Sequence, residues 1–402
     1  MSYQTTQFLY FFRKLSRNED RKGDLKRRVV AFLIAIVLLL FWKQGQFGGK
    51  LIRDYEEAFL IKTFFDIRGD RPTPENIAII KIDDLSFQKM NLSTRRPFPR
   101  ELFAKALQAI AEDKPKLVVL DLHAPFEEQE AESTKLFAEA LRAVPSTIAS
   151  APIGDAGNSF TSDPILREAA GMEIPMMVDS YKGLVYFVVQ KRMTNAPSDE
   201  SVPLIKPLRE FVDSSVRLPG QNSMINFYGR DGHFPSYSIW QLFSEKRIIP
   251  ASYFKDKIVF VGFASDLRER GTSDKELIDV AAPGGVMYGV EVHATIAANL
   301  LEHNFINRFS HELESLFIFL MLFAVVSGIF FLDPKSAFYF MLCFLGLWFC
   351  GSYLAFVYLR FFFPGAVFAF CTVPTILAVV ATTIAHLALK ELEENKRMLG
   401  IK

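Results

Sequence analysis

"NIAIIKIDDLSF", Asn76 to Phe87, reads as a buried strand that ends in two carboxylates. Ile77 to Ile80 form a continuous apolar run, and such runs suit strands covered on both faces. Asp83 and Asp84 follow where the strand should turn. Further apolar runs follow in "KLVVLDL" (Lys116–Leu122), "STIASAPI" (Ser146–Ile153), "SMINFYG" (Ser223–Gly229) and "KIVFVGF" (Lys257–Phe263). Helical patterns alternate with these runs: "RELFAKALQAIAED" from Arg100, "AESTKLFAEALRAV" from Ala131, "SYSIWQLFSE" from Ser236 and "GVEVHATIAANLLEHN" from Gly289. Alternation of this kind predicts an α/β domain, a mostly parallel sheet flanked by helices. Ala106, Leu107, Ile110 and Ala111 recur at helical spacing and are expected to face the sheet. Pro99, with Glu101 behind it, marks a helix start at its first turn. From Pro152 to Pro219 the pattern weakens: "VYFVVQKRM" (Val185–Met193) reads as a strand, and "SDESVPLIKPLREF" (Ser198–Phe211) as a loop leading into a short helix.

The chain has 402 residues, room for two or three domains. A net charge of +1 gives no basic bias toward nucleic acid, and none is expected as a partner. Phenylalanine occurs 40 times, and the apolar excess is concentrated between Ser315 and Leu389. The three cysteines, Cys343, Cys350 and Cys371, all lie there. The long polar region therefore carries neither a disulfide framework nor a thiolate metal site.

Three apolar runs close the chain: Ser315–Leu332, Ser336–Leu359 and Phe361–Leu389. At about 1.5 Å per residue each can cross a hydrocarbon core of about 30 Å. A fourth, "VVAFLIAIVLLLFW" from Val29 to Trp42, follows eight Lys or Arg and three acids. Lys43 can snorkel there, and no small-residue cleavage pattern follows in "KQGQFGG", so an uncleaved anchor is expected. Positive-inside reasoning places the amino end in the cytoplasm of a bacterial cell. The expected order is a basic cytoplasmic segment at 1–28, an anchor at 29–47 and an extracytoplasmic domain at 48–312. A transmembrane bundle of three helices follows at 313–389, then the start of a cytoplasmic helix at 390–402. Both ends are then cytoplasmic, in a multi-pass protein of the inner membrane.

Five fragments, in order, resemble the type-2 CHASE domain, an extracytoplasmic sensory module. "IAIIKIDDLSF" resembles its opening strand and Ile-Asp-x-x-Ser motif. "RRPFPRELFAKAL" resembles its Trp-Pro-Trp-Pro-Arg helix start, with Arg96 and Phe98 where tryptophans are usual. "KLVVLDLHAPF" resembles the strand ending in Asp-x-x-Phe, although Phe126 comes two residues late. "FKDKIVFVGFASDL" resembles the Lys-x-Ile-Val-x-Val-Gly strand. "GVMYGVEVHATIAANLL" resembles the closing Pro-Gly-Val-x-x-His-Ala helix, with Tyr288 for the proline. Together they cover about residues 50 to 308. The resemblance implies a sensor that passes a signal to a cytoplasmic class III nucleotide cyclase, such as adenylate cyclase, or alternatively to a histidine or serine/threonine kinase. No catalytic domain is visible in the 402 residues. Ala385, Leu389, Leu392, Lys396 and Leu399 alternate at four- and three-residue spacing, as in a short parallel coiled coil. A homodimer in the lipid bilayer, responding to an extracytoplasmic ligand or protein, is the expected form, with no cofactor.

In a parallel sheet the carboxyl ends of strands open onto the ligand crevice. Asp83, Asp84, Ser86, Asp121 and His123 are therefore candidate ligand contacts, and Arg100 a candidate partner for one of the acids. The competing reading is that these acids cap helices or hold an arginine internally. Asp121-x-His123 could also ligate a metal, since alternate strand residues share a face. An anchored metal-dependent hydrolase would need further ligands, and "GRDGH" (Gly229–His233) lacks the pattern. Glu291 and His293, two residues apart on a helix, face different ways. Gly262, Gly284 and Gly285 form no phosphate loop, and Ser265 has no base beside it in sequence. Neither catalytic residues nor a metal site are expected.

Overall fold

The computed structural model describes residues 56–94, 97–122, 131–153, 158–160, 163–175, 204–220, 223–246, 248–265, 277–331 and 334–363, with a few isolated positions besides. Two compact units divide the chain: Ile61–Asn307, and Met1–Leu60 together with Arg308–Lys402.

The Ile61–Asn307 unit is a mixed α/β domain built on a largely parallel sheet. Its strands are β1 (Ile77–Asp83), β2 (Leu117–Asp121), β3 (Ser146–Ile153), β4 (Asn158–Phe160), β5 (Met172–Pro175), β6 (Ser236–Ser238) and β7 (Ile258–Ala264). The order across the sheet is β4-β3-β2-β7-β1-β6, with β5 also on β3. All these pairs are parallel except β3–β4. A separate antiparallel hairpin joins β8 (Leu277–Asp279) to β9 (Val286–Tyr288). The late strand β7 is thus inserted between β1 and β2. Ile77 to Ile80, Leu117 to Leu120 and Ile258 to Val261 are all buried. Burial on both faces explains their unbroken apolar sequence.

The helices around the sheet are α1 (Lys62–Arg68), α2 (Asp84–Lys89), α3 (Arg100–Ala111), α4 (Ala131–Arg142), α5 (Pro164–Ala169), α6 (Ile205–Phe211) and α7 (Gly289–Glu302). Ala106, Leu107 and Ile110 of α3 enter the main core, and Ala111 packs at its margin. Pro99 is the N-cap of α3, one residue outside the helix it was expected to begin. Phe98, where tryptophan is usual, is buried against Phe103 (ring centroids 4.9 Å apart), Phe87 (6.0 Å) and Phe263 (6.4 Å). An aromatic ring is kept at that position, and its contacts account for it.

Two expectations are corrected. "SMINFYG" joins no ladder: Met224 makes an isolated bridge with Ile306, and Asn226 and Tyr228 bond to the end of α7. "SYSIWQLFSE" is not a helix. Ser236–Ser238 fill the open edge of β1 as β6, and a 3-10 turn, Ile239–Phe243, follows with a capping box between Ser238 and Gln241. The expected strand at Val185–Met193 lies outside the described residues.

The other unit contributes α8 (His311–Phe331) and α9 (Pro334–Leu354), the latter continued by a π-helical stretch, Ala355–Leu359. Phe309 packs on Phe317, Phe361 and Phe363 with centroids 4.7–5.8 Å apart, so the start of α8 and the chain after α9 share one end. Arg308 and Glu314 form a buried ion pair at that end. Among the described residues one stretch, Tyr339–Leu359, is long and apolar enough to cross a membrane, with a mean hydropathy of 2.0. Only 28% of its most apolar window is buried inside the protein, unlike the core helix of a soluble domain.

Candidate functional site

The carboxyl edge of the sheet begins with Asp83. Its backbone is extended, and its side chain caps α2: Oδ1 accepts from the Ser86 amide at 2.8 Å and the Ser86 hydroxyl at 2.6 Å. Oδ2 accepts from the Ser238 hydroxyl, where β6 ends. The Ile-Asp-x-x-Ser motif is therefore a strand end followed by a helix cap, which satisfies an orphan amide at the start of α2. Asp84 stands in the first turn of α2 and accepts from the hydroxyl of Ser265, just beyond β7. Ser86 is fully buried beneath this cap.

Asp121 belongs to a different level. Strand register aligns Lys81, Gly262 and Asp121 in one row across β1, β7 and β2. Asp83 is aligned with Ala264, two residues (about 6–7 Å) further on. The row lies under α7. Gly262 provides the space: a Cβ there would meet the Cβ of Val290 at 2.7 Å and its Cγ2 at 2.8 Å. On one side of Gly262, Asp121 Oδ1 lies 3.9 Å from His293 Nε2. On the other, the Lys81 ammonium lies 3.1 Å from Glu291 Oε2. The glycine and histidine of the two resembling motifs thus have one physical explanation, the close seating of α7 on this row.

Glu291 accepts four hydrogen bonds. It is fully buried, yet both oxygens are occupied. Oε1 accepts from the amides of His233 at 2.9 Å and Phe234 at 3.2 Å. Oε2 accepts from the amide of Gly232 at 2.8 Å and from Lys81. "GRDGH" is therefore the loop that wraps a buried carboxylate. Asp231 adds an acceptor for the Tyr288 amide at 3.1 Å, just before α7. Burial pushes Glu291 above the usual carboxylate range, and Lys81 and the amides pull against it. Burial also lowers His293 to about 3, so its imidazole is neutral.

Arg100 is not at the crevice acids. Its guanidinium donates to Thr134 Oγ1 at 2.6 Å and pairs with Asp163 Oδ2 at 3.1 Å, in a buried junction of α3, α4 and the start of α5. Asp163 also caps α5 through the Ile165 amide at 3.0 Å. The expected partnership of Arg100 with an acid of the carboxyl edge is replaced by this one, while the side chain of Asp83 is taken up by Ser86 and Ser238. His123 lies outside the described residues. Of the candidates, then, Asp83, Asp84 and Ser86 cluster at the edge, Asp121 lies one level back, and Arg100 belongs to another part of the domain.

Sequence reading missed Glu291, Lys81, Ser238, Ser265 and Asp163 as partners. A buried Glu-x-His on a helix otherwise rich in Ala, Val and Ile was the available signal for the first. Among the described residues no three His, Cys, Asp or Glu side chains are arranged to hold a metal ion.

Comparison with curated proteins and with solved structures gives no significant match. Comparison with protein families gives one: the CHASE2 domain, over residues 31–329. That range contains the whole sheet, the Lys81–Gly262–Asp121 row and α7, and most of α8. CHASE2 is an extracytoplasmic sensory domain. The chain belongs to the CHASE2 domain family.

Proposed function

We propose that the chain is the receptor half of a multi-pass membrane sensor that drives a cytoplasmic class III nucleotide cyclase domain following Lys402. The observation that carries this reading is the extent of the CHASE2 match. It begins at residue 31, inside the first apolar run, and ends at 329, near the end of α8. The match thus takes in the sheet domain together with most of the apolar runs on either side of it, which supports reading those runs as an anchor and a first closing crossing. The remaining crossings, to Leu389, and the heptad-like spacing from Ala385 to Leu399 supply the route to the effector, with two copies of the chain side by side. The sensory ligand enters at the carboxyl edge of the sheet, where Asp84 and Asp121 keep part of their surface exposed and where open parallel sheets in general bind ligands.

The topology has a direct test. With Cys343, Cys350 and Cys371 replaced and single cysteines placed at Ser159 or Lys402, a membrane-impermeant thiol reagent added to whole cells should modify only the first. Labelling of both from outside refutes the arrangement.

Coupling is tested by fusing a class III cyclase catalytic domain after Lys402. One alanine inserted after Leu389 rotates the helix by about 100° and should change the basal rate, while seven should largely restore it. If neither insertion alters the rate, the segment is a flexible tether. In the same fusion Asp84→Asn and Asp121→Asn should each alter output at unchanged membrane abundance. Unchanged output from both removes the carboxyl edge from the signal path.

A further inference from the structure

Residues 224–234 run along α7 and are bonded to it at both ends. At the amino end Glu291 holds the amides of Gly232, His233 and Phe234. At the carboxyl end Asn226 and Asn299 form a reciprocal pair: the Asn226 amide donates to Asn299 Oδ1 at 2.8 Å, and Asn299 Nδ2 donates to the Asn226 carbonyl at 3.1 Å. Asn226 Nδ2 donates to the Asn304 carbonyl at 2.7 Å. Tyr228 donates to Glu302 at 2.6 Å and accepts from Asn304 at 2.9 Å. Beyond α7, Met224 and Ile306 exchange both backbone bonds, at 2.7 and 3.0 Å.

The same segment grips the beginning of the domain. Arg68, the last residue of α1, donates to Asn226 Oδ1 at 2.6 Å and to the Phe227 carbonyl. Arg71 donates its amide to the Tyr228 carbonyl at 2.6 Å, donates its guanidinium to the Asn226 carbonyl at 3.2 Å, and lies 4.3 Å over the Tyr228 ring. Phe65 of α1 meets Phe227 edge-on at 5.6 Å. Asn226 is 1% exposed, Asn299 0% and Asn304 5%. Buried polar groups left without partners are costly, so this network tolerates few arrangements. Nothing of it is needed to build the parallel sheet, whose ladder ends at β6 on this side.

We infer that Asn226, Phe227 and Tyr228 form a clasp joining the first helix of the sensory domain to its last, so that both ends of the domain move as one output element. The sensory reading gives the clasp its use, but the clasp is testable without any ligand or effector. One residue, Asn226, receives Arg68 from the start of the domain and engages Asn299 and Asn304 at its end. A disturbance at Arg68 must therefore reach the carboxyl end of α7.

Hydrogen exchange of the full chain in detergent micelles reads this directly. Arg68→Ala should raise exchange about tenfold not only in 62–71 but also in 296–306, with α3 unchanged. A rise confined to 62–71 overturns the clasp. So does an equal rise in α3, which would make Arg68 a general stabiliser of the domain. If Arg68→Ala does not fold, Arg68→Lys keeps the charge and loses the planar two-pronged donor. It should show the same pattern at smaller amplitude, and the same two outcomes overturn the inference. Failure of the cyclase fusion with an intact exchange pattern would remove the sensory output and leave the clasp standing.

Discussion

Glu291→Gln is expected to lower the melting temperature of the full chain in detergent by roughly 6–20 °C. The carboxylate has four donors and no spare oxygen: two amides on Oε1, one amide and the Lys81 ammonium on Oε2. Glutamine offers one acceptor and one amino group, so either orientation sets an NH2 against two donors. Lys81, 13% exposed, also loses its counter-charge. Breaking a buried ion pair on one side costs about 3–5 kcal/mol. A domain of this size shifts by about 2–4 °C per kcal/mol. A change under about 2 °C would show that the loop 232–234 does not depend on Glu291.

Lys81→Met separates the amide contribution from that of the charge. Its removal takes away the main influence that lowers the Glu291 pKa, so the folded value rises further above the ordinary 4.5. A carboxyl group with a raised folded pKa binds protons more readily in the native state. Its penalty is absent below pH 4.5, grows as pH rises toward the folded value, and is constant above it. The parent carries the same penalty up to its own raised Glu291 pKa, so the variant should lose stability relative to the parent only as pH rises above that value, and the pH-dependent part of the difference should vanish on acidification below it. A difference that does not vary with pH would place the lysine's contribution elsewhere.

The strands legible in sequence are those buried on both faces. β1, β2 and β7 appear as apolar runs because helices cover the sheet; α3 and α4 appear because each has a core stripe, and α7 because it is largely apolar and buried all round from Gly289 to Leu300. β6 is only Ser-Tyr-Ser, and nothing local marks it as a strand: it exists because β1 offers an open edge. The site is less legible than the fold for a related reason. Strand order is set by contacts distant in sequence, and the insertion of β7 between β1 and β2 decides that Lys81, Gly262 and Asp121 form a row. A chain that placed β2 beside β1 would bring Asp83 and Asp121 nearer the single pocket their positions suggest. The partners of Glu291 are mostly backbone amides, which carry no sequence signature. The cap Asp83–Ser86 is local, and its capping alternative was readable from the sequence.

Arg100 shows most sharply how a residue at the right place in sequence can serve another purpose. It begins α3, close in sequence to the carboxyl edge, yet its guanidinium is 5% exposed and committed to Thr134 and Asp163. Arg100→Ala leaves the Asp163 carboxylate buried with one amide donor from Ile165 in place of a cation. The expected loss is about 3–5 kcal/mol, as for other buried pairs broken on one side. Most of that loss should be the orphaned charge rather than the lost attraction, since replacing both members of a buried pair is often close to neutral. Arg100→Ala combined with Asp163→Asn keeps an oxygen to cap α5 and removes the charge, so the double variant should melt several degrees above Arg100→Ala alone. A double variant no more stable than the single one would mean that the guanidinium contributes by filling space between α3, α4 and α5. Neither variant touches Asp84 or Asp121, so in the cyclase fusion both should keep the parent's output below their melting temperatures. An output altered at full folding would return Arg100 to the ligand site from which its geometry removes it.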